Sequence, residues 1–511
     1  MEAARGERLS FQVALRTDNG ESPIITAAAD APSPISVQIR RVGYVPVPHL
    51  NTETPPDELE GADHIPGQVP DPLFPDSTLE ASACETHAFW VTVKIPLEAA
   101  PGPYPVTVRL TAQGTAETAL TAAIIVYPAV LPPRRNFPVT NFLHADALCD
   151  WYKVQPSQRQ FWSILDPYLA DLAAHGQDTM YVPLFTPPLD GVKRPIQLLG
   201  VSRRDGRYRF DWRLVRRWVE ACRSHGLGRF EWTHFFTQWG AQYALRVYEG
   251  HGENAELLWP PDTHSLSPVY RDFLAQFLPK FKRFLRAEGL LECSLFHLSD
   301  EPHSDHFNNY RAAREMVREL APWMRVIDAL SDINFAREGL VDVPVPIVWA
   351  APGFVREGFS PWVYYCCEPR GAFLNRLLDT PLIKVRMSGW LFYRTQVRGF
   401  LHWGYNYWYK RATTQLIEPF TVSDGLAWPD WAHGDPFVVY PGPEGPIDSL
   451  RWEIFAESLQ DYALIQAAGI EPDDPLLMEI EDYADFPRSE EWLTRRRRIL
   501  LERLARKQSA S

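Results

Sequence analysis

Basic charge, cysteine and long apolar runs are what this sequence has little of, and each shortage narrows what it can do. The 511 residues carry a net charge of -13, so nucleic acid or an anionic membrane as partner is excluded by repulsion. Only 6 cysteines are present, spread thinly apart from the adjacent Cys366 and Cys367, without zinc-ligand spacing or a disulfide framework. No run reaches transmembrane length, and Met1 to Phe11 lacks the apolar core of a signal peptide. Those features predict a cytoplasmic protein. There is no P-loop, dinucleotide fingerprint or GxSxG elbow. No cofactor is therefore expected, and no motif sets an oligomeric state.

What is present is a well-mixed globular composition, 45% hydrophobic and 23% charged, which argues against disorder. Aromatic residues reach 13%, with 18 Trp. Flat side chains in such number suit carbohydrate sites as well as large cores. The single basic run, Arg495 to Arg498, shares an amphipathic pattern with Ile499, Leu500, Leu501 and Leu504, and reads as a solvated helix face.

Two grammars divide the chain. From Arg5 to Tyr127, short alternating runs such as Leu9–Arg16, Ser36–Gly43 and Phe89–Ile95 are separated by turn residues, which predicts a β-sandwich over 1–130. Within it, Asn51 to Pro75 reads as a long Pro-rich loop able to reach a neighbouring site. A proline-rich linker follows, Pro128 to Pro138. Beyond it, apolar runs alternate with helix-length amphipathic stretches. The strand candidates are Val139–Leu143, Thr179–Pro183, Arg229–Trp232, Ser294–Leu298, Arg325–Asp328, Pro346–Trp349, Trp362–Cys366 and Gly399–Trp403. This alternation predicts a (β/α)8 TIM-like barrel over 131–470, and 471–511 reads as a C-terminal helical tail.

Active sites of such barrels lie at the C-terminal ends of the strands. The polar residues there are His144, Asp146, Thr186, His234, Asp300, Glu301, Tyr405 and Asn406. Asp300-Glu301 stands apart from the chain's other acidic doublets. It ends the run Ser294 to Ser299 and precedes Pro302, whereas the others lie in polar loops or the tail. Two carboxylates at the mouth of a buried strand are costly to desolvate, and their mutual repulsion should raise at least one pKa. That keeps a carboxylic acid protonated for general-acid work, as glycoside hydrolysis requires. A salt-bridged or helix-capping pair at a βα turn is the competing structural reading. His303, Asp305 and His306 nearby admit a metal-dependent hydrolase, though not at zincin spacing.

The segment Gly399-Phe400-Leu401-His402-Trp403-Gly404-Tyr405-Asn406-Tyr407-Trp408 is densely aromatic, as is Trp390-Leu391-Phe392-Tyr393. Core packing accounts for most of these rings, with Trp403, Tyr405, Asn406 and Trp408 left at the strand exit. With Tyr181 to Asp190, His297-Leu298-Ser299-Asp300-Glu301-Pro302, Gly434-Asp435-Pro436 to Pro441 and the opening Gly6 to Gln12, this segment resembles glycoside hydrolase family 123 and relatives filed under domain of unknown function 4091. The resemblance covers nearly the whole chain in order.

It implies a retaining β-N-acetylgalactosaminidase in which the substrate's own 2-acetamido group attacks C1. Asp300 would polarise that group, and Glu301 would serve as acid and then base. Neither metal nor organic cofactor is implied, and the partner is a carbohydrate ending in a β-galacto-configured sugar. His144, Asp146, His234, Tyr364, Trp390, Trp403, Tyr405 and Asn406 are expected to contact it. A β-galactosidase or dual-specificity hydrolase on the same fold is the first alternative. A non-catalytic carbohydrate-binding protein is another, disfavoured by the presence of both carboxylates.

Overall fold

The computed structural model describes residues 1–17, 22–51, 65–112, 116–188, 196–250 and 255–510. The amino-terminal region is two facing sheets. One runs in the order Glu2–Arg5, Thr118–Val130, Gly102–Ala112, Ile24–Asp30 and Thr78–Glu80. The other runs Arg8–Arg16, Thr86–Lys94, Ser36–Val47 and Gly67–Phe74. Alternation builds the core between them: Ile124 and Val126 are buried while Ile125 between them is exposed. The expected loop from Asn51 to Pro75 is in part a strand. Gly67–Phe74 pairs with Ser36–Val47 at a sheet edge, where Pro70 and Pro72 are tolerated. Residues 52–64 of that insertion lie outside the described residues.

After the linker, the strands that pair in parallel among the described residues are β1 (Val139–Asn141), β2 (Thr179–Val182), β3 (Arg229–Trp232), β4 (Ser294–Phe296), β5 (Ile327–Ala329), β6 (Val343–Val345), β7 (Val363–Tyr364) and β8 (Phe400–His402), beside three small antiparallel pairs. They pair in parallel as β2–β3–β4, β5–β6 and β7–β8–β1. This mixed α/β arrangement meets the expectation of one continuous eight-stranded ladder only in part. Where β4 meets β5, a single bridge, Phe296 to Val326, joins the sheets. Beyond it the N–H groups of Leu298 and Ser299 donate to the Asp328 carboxylate instead of a strand. Near β6, Pro344 and Pro346 have no N–H to give.

Helices follow the first four strands, including Arg159–Ala174, Arg213–Ser224, Pro268–Ala287 and Phe307–Leu320. The third is capped by Ser267, whose Oγ accepts the Tyr270 N–H. It buries Tyr270, Phe273, Leu274, Phe277, Phe281 and Phe284, a stripe of helical period. Trp390 to Tyr393 belongs to the helix Ser388–Arg394. One strand expectation shifts here. The run Pro346–Trp349 follows its strand, so Trp349 is 56% exposed.

The helix Leu450–Ala468 is buried nearly all round because sandwich and barrel region both pack on it. Its charges face partners from both. Arg451 forks onto Asp71 of the sandwich edge strand (2.9 Å). Glu453 accepts from Arg40 (2.5 Å), and Asp461 pairs with Arg386 and Arg497. The C-terminal helix Glu490–Ser509 is accordingly no free tail. Its basic run is split, because Arg497 turns inward to Asp461 and Glu7 rather than lying on a solvated face. Among the described residues no helix is long and apolar enough to cross a membrane.

The junction also sets a pH response. Burial alone would keep His175 neutral, but Asp171 beside it and the Glu453 hydrogen bond push its pKa from 6.5 to about 10. Burial and the Asp171 charge raise Asp448 from 3.8 to about 7. Both groups are raised on folding. The stability from His175 is therefore complete below pH 6.5 and lost by about pH 10, and that from Asp448 is lost between about 3.8 and 7. On the acid side, Asp171 and Glu453 are depressed despite burial, by His175 and by the arginines. Their contribution disappears as pH falls below the ordinary carboxylate range. The melting temperature should thus peak in weakly acidic buffer and decline towards pH 10. His175→Gln should flatten the alkaline decline, read by thermal scans across pH; an unchanged decline would refute the assignment.

Candidate active site

The strand β4 continues as His297-Leu298-Ser299, all buried, and Asp300 and Glu301 emerge at its end. Glu301 has φ 42, a left-handed backbone that a non-glycine residue adopts at a cost of about 1–3 kcal/mol. Its N–H is held by the Ala329 carbonyl at the end of β5 (3.0 Å). The turn sends the two neighbouring carboxylates to different partners. Gln238, from the loop after β3, donates to Asp300 Oδ2 (3.0 Å). Tyr364, in β7, donates to Glu301 Oε1 (2.7 Å). Burial, and next the Glu301 charge, hold the Tyr364 hydroxyl well above its ordinary pKa, so it stays a donor.

Both carboxylates line one concave, largely apolar cavity, the kind of surface that takes a small ligand. Its apolar wall includes Phe142, Leu401, Trp403 and Trp431, and its polar wall His234, His297 and Asp435; Cys366 and Cys367 complete one side. Trp403 is held by its indole N–H to Asp435 Oδ2 (3.0 Å). Gly404 permits this approach, since a Cβ there would lie 2.3 Å from the Asp435 carbonyl oxygen.

Beneath the carboxylates lies a charged relay. His297 reaches Glu231 (3.3 Å) and Asp328 (3.5 Å). Burial opposes its protonation, but hydrogen bonds and charge from Asp328 and Glu231 push its pKa up to about 9. His234 stacks on it with centroids 4.5 Å apart. Burial and the neighbouring imidazolium drive His234 well below its ordinary pKa, so it is neutral, with Nδ1 bonded to the Tyr181 hydroxyl (3.1 Å). Burial raises the pKa of both Glu231 and Asp328, and the hydrogen bonds and charge of His297 oppose that rise.

A family model described as the glycoside hydrolase 123 catalytic domain matches residues 142–468. The chain belongs to glycoside hydrolase family 123. It is therefore a glycosidase, and its substrate is a carbohydrate. A family 123 glycoside hydrolase from Clostridium perfringens, known for glycolipid glycan hydrolysis, has a similar fold. The TM-score is 0.76 at 15% identity, covering 99% of this chain and 94% of that one. A family 5 xyloglucanase from Bacteroides ovatus aligns at a TM-score of 0.29 and 10% identity, over 82% of this chain and 96% of that one. No curated protein matches the chain.

Within this family 123 chain, the residues expected at the site fall into two groups. Asp300, Glu301, His234, Tyr364 and Trp403 meet around one cavity. The others lie behind it or away from it. His144 donates through Nε2 to the Trp403 carbonyl (2.8 Å) and stacks edge-on to Trp403 and Tyr407. The Asn406 side chain clamps the His144 backbone through its N–H and C=O. Asp146 is buried in the first turn of the helix Ala145–Tyr152. Tyr405 donates instead to Asp171 (2.6 Å). Trp390 is on the outer helical layer, donating to Asp461. His303 and His306 lie in an exposed turn, where the His303 N–H donates to His306 Nδ1 (3.1 Å). Gln238, His297, Trp431 and Asp435 were not singled out from the sequence. His297 and Asp435 sat inside the quoted motifs, but nothing local marks Gln238 or Trp431.

Proposed function

We propose that this hydrolase removes a terminal β-linked N-acetylgalactosamine by a retaining, substrate-assisted mechanism. The observation carrying the reading is the pair Asp300-Glu301, adjacent in sequence yet oriented by separate partners, Gln238 and Tyr364. Asp300 holds and polarises the 2-acetamido group, whose carbonyl oxygen attacks C1. Glu301 gives its proton to the departing glycosidic oxygen, and the first product leaves as an alcohol. The oxazolinium-type intermediate is then opened by water, whose proton returns to Glu301. Two inversions at C1 retain its configuration. Neither step calls on a metal or an organic cofactor. The indole of Trp403 is suited to the C–H face of the sugar. We also infer that the eight strands close into a (β/α)8-type barrel, supported by the Asp178 N–H to Val139 carbonyl bond (3.3 Å) between β2 and β1. The similar fold of the Clostridium perfringens enzyme supports glycolipid glycans as the substrate class.

A second reading has one specific support. Asp435 lines the same cavity from a different segment, as a direct nucleophile of a β-galactosidase would. Aryl glycosides of β-GalNAc, β-GlcNAc and β-Gal separate the two. The first reading expects the highest kcat/KM on β-GalNAc. Preferred turnover of β-Gal, abolished by Asp435→Asn, would overturn it in favour of the second.

A further inference from the structure

Gln238 lines a second compartment as well as the catalytic cavity. The outer space is bounded by Thr186, Trp239, Tyr243, Arg246 and Asp262 among others. The loop that carries Gln238 has an unusual backbone. Trp239, Gly240 and Ala241 have φ 53, 94 and 59 in succession, and the two non-glycine residues each cost about 1–3 kcal/mol in that conformation. At Gly240 a Cβ would lie 2.3 Å from His306. The strained turn is tied to the segment bearing the catalytic pair. The Trp239 N–H donates to the Asp300 carbonyl (2.8 Å), and the Ala241 N–H donates to Ser299 Oγ (3.1 Å). Its outcome is an indole that is 51% exposed, where tryptophan is ordinarily well buried. Core packing does not account for a side chain so exposed on a turn so firmly held.

We propose that this compartment is the leaving-group subsite, with Trp239 as the platform for the neutral pyranose to which the hydrolysed sugar is attached. The indole face meets the apolar C–H face of that pyranose, while Arg246 and Asp262 offer a donor and an acceptor for its hydroxyl groups. Gln238, bonded to Asp300, is the partition between the two sugars. Trp239 is thus a specificity determinant and takes no part in bond breaking. The inference rests on the hydrolase reading above for the sugar in the inner cavity.

The test compares a disaccharide, GalNAc β-linked to galactose, with β-GalNAc fluoride, whose leaving group is a single atom. Trp239→Ala should lower kcat/KM on the disaccharide by about tenfold more than on the fluoride, equivalent to about 1.4 kcal/mol of transition-state contact. Trp239→Tyr should recover most of that ratio. Lactose should give a saturation-transfer NMR signal with the wild type that Trp239→Ala loses at an unchanged melting temperature. Equal losses on both substrates, or none on the disaccharide, would overturn the subsite and leave the hydrolase reading intact. Absence of turnover on both, with a Trp239-dependent lactose signal, would keep the subsite and overturn the inner sugar. Absence of both turnover and signal would overturn the two together.

Discussion

Glu301→Gln is expected to lower kcat/KM on a β-GalNAc glycoside with an alcohol leaving group by roughly 10²–10⁴-fold, the range of a lost general acid–base. The amide keeps the size of the side chain and can still accept the Tyr364 hydrogen bond (2.7 Å), so the fold should be unaffected. What is lost is the proton for the departing oxygen and the base for water. An aryl glycoside leaves without much protonation, and its loss in the first step should be smaller; pre-steady-state release of nitrophenol would show this. Asp300→Asn should behave differently. In the proposed mechanism it removes the charge that polarises the acetamide, with a loss of roughly 10²–10³-fold of the kind seen for electrostatic stabilisers, whether the leaving group is aryl or alkyl. Wild-type turnover in the Glu301→Gln protein would remove Glu301 from the mechanism.

The largest effect on stability is expected at Arg451. Its guanidinium makes a two-pronged pair with Asp71 and also donates to the carbonyls of Arg376, Gly434 and Phe437, all in the interior. Arg451→Met leaves the buried Asp71 without its guanidinium partner, with the Tyr440 hydroxyl still donating to its Oδ2 (2.6 Å). Breaking one partner of a buried pair costs about 3–5 kcal/mol, and the stranded carbonyls add to it. Because Asp71 is on the sandwich and Arg451 on the helix packed against the barrel region, loss of the pair should loosen the junction. A lower urea midpoint is expected, partly recovered by adding Asp71→Leu, which removes the orphaned carboxyl. A midpoint equal to wild type would mean that packing alone holds the junction.

Much of this molecule was legible before any coordinates. Most strand candidates beyond the linker fall within a few residues of an observed strand, because apolar runs bounded by turn residues are a local signal. The exceptions have local causes too. Pro70 and Pro72 disguised the edge strand Gly67–Phe74. Pro344 and Pro346 shifted the reading of β6 and hid the exposure of Trp349. Asp300-Glu301 stood out because a charged doublet ending a buried run before a proline is chemically anomalous at the level of sequence. His297 and Asp435 were in plain view within their motifs, but a buried charge acquires a role only from its neighbours.

The sequence by itself therefore determined the order of most strands and helices and marked out the carboxylate pair, and its motifs resembled those of the family. The elements follow from periodicities of two and 3.6 residues and from turn chemistry, both of which act over a few residues. Tertiary structure decided who attends the pair and who does not. Gln238 is 62 residues from Asp300, and Tyr364 is 63 from Glu301; only the meeting of separate strand ends brings them together. The same packing sends Trp403 into the cavity, Tyr405 to Asp171 and Trp390 to Asp461, although all three are aromatic residues of one stretch of chain. A side chain's direction and its hydrogen-bond partner are properties of the assembled surface around it, and no pattern within its own segment contains them.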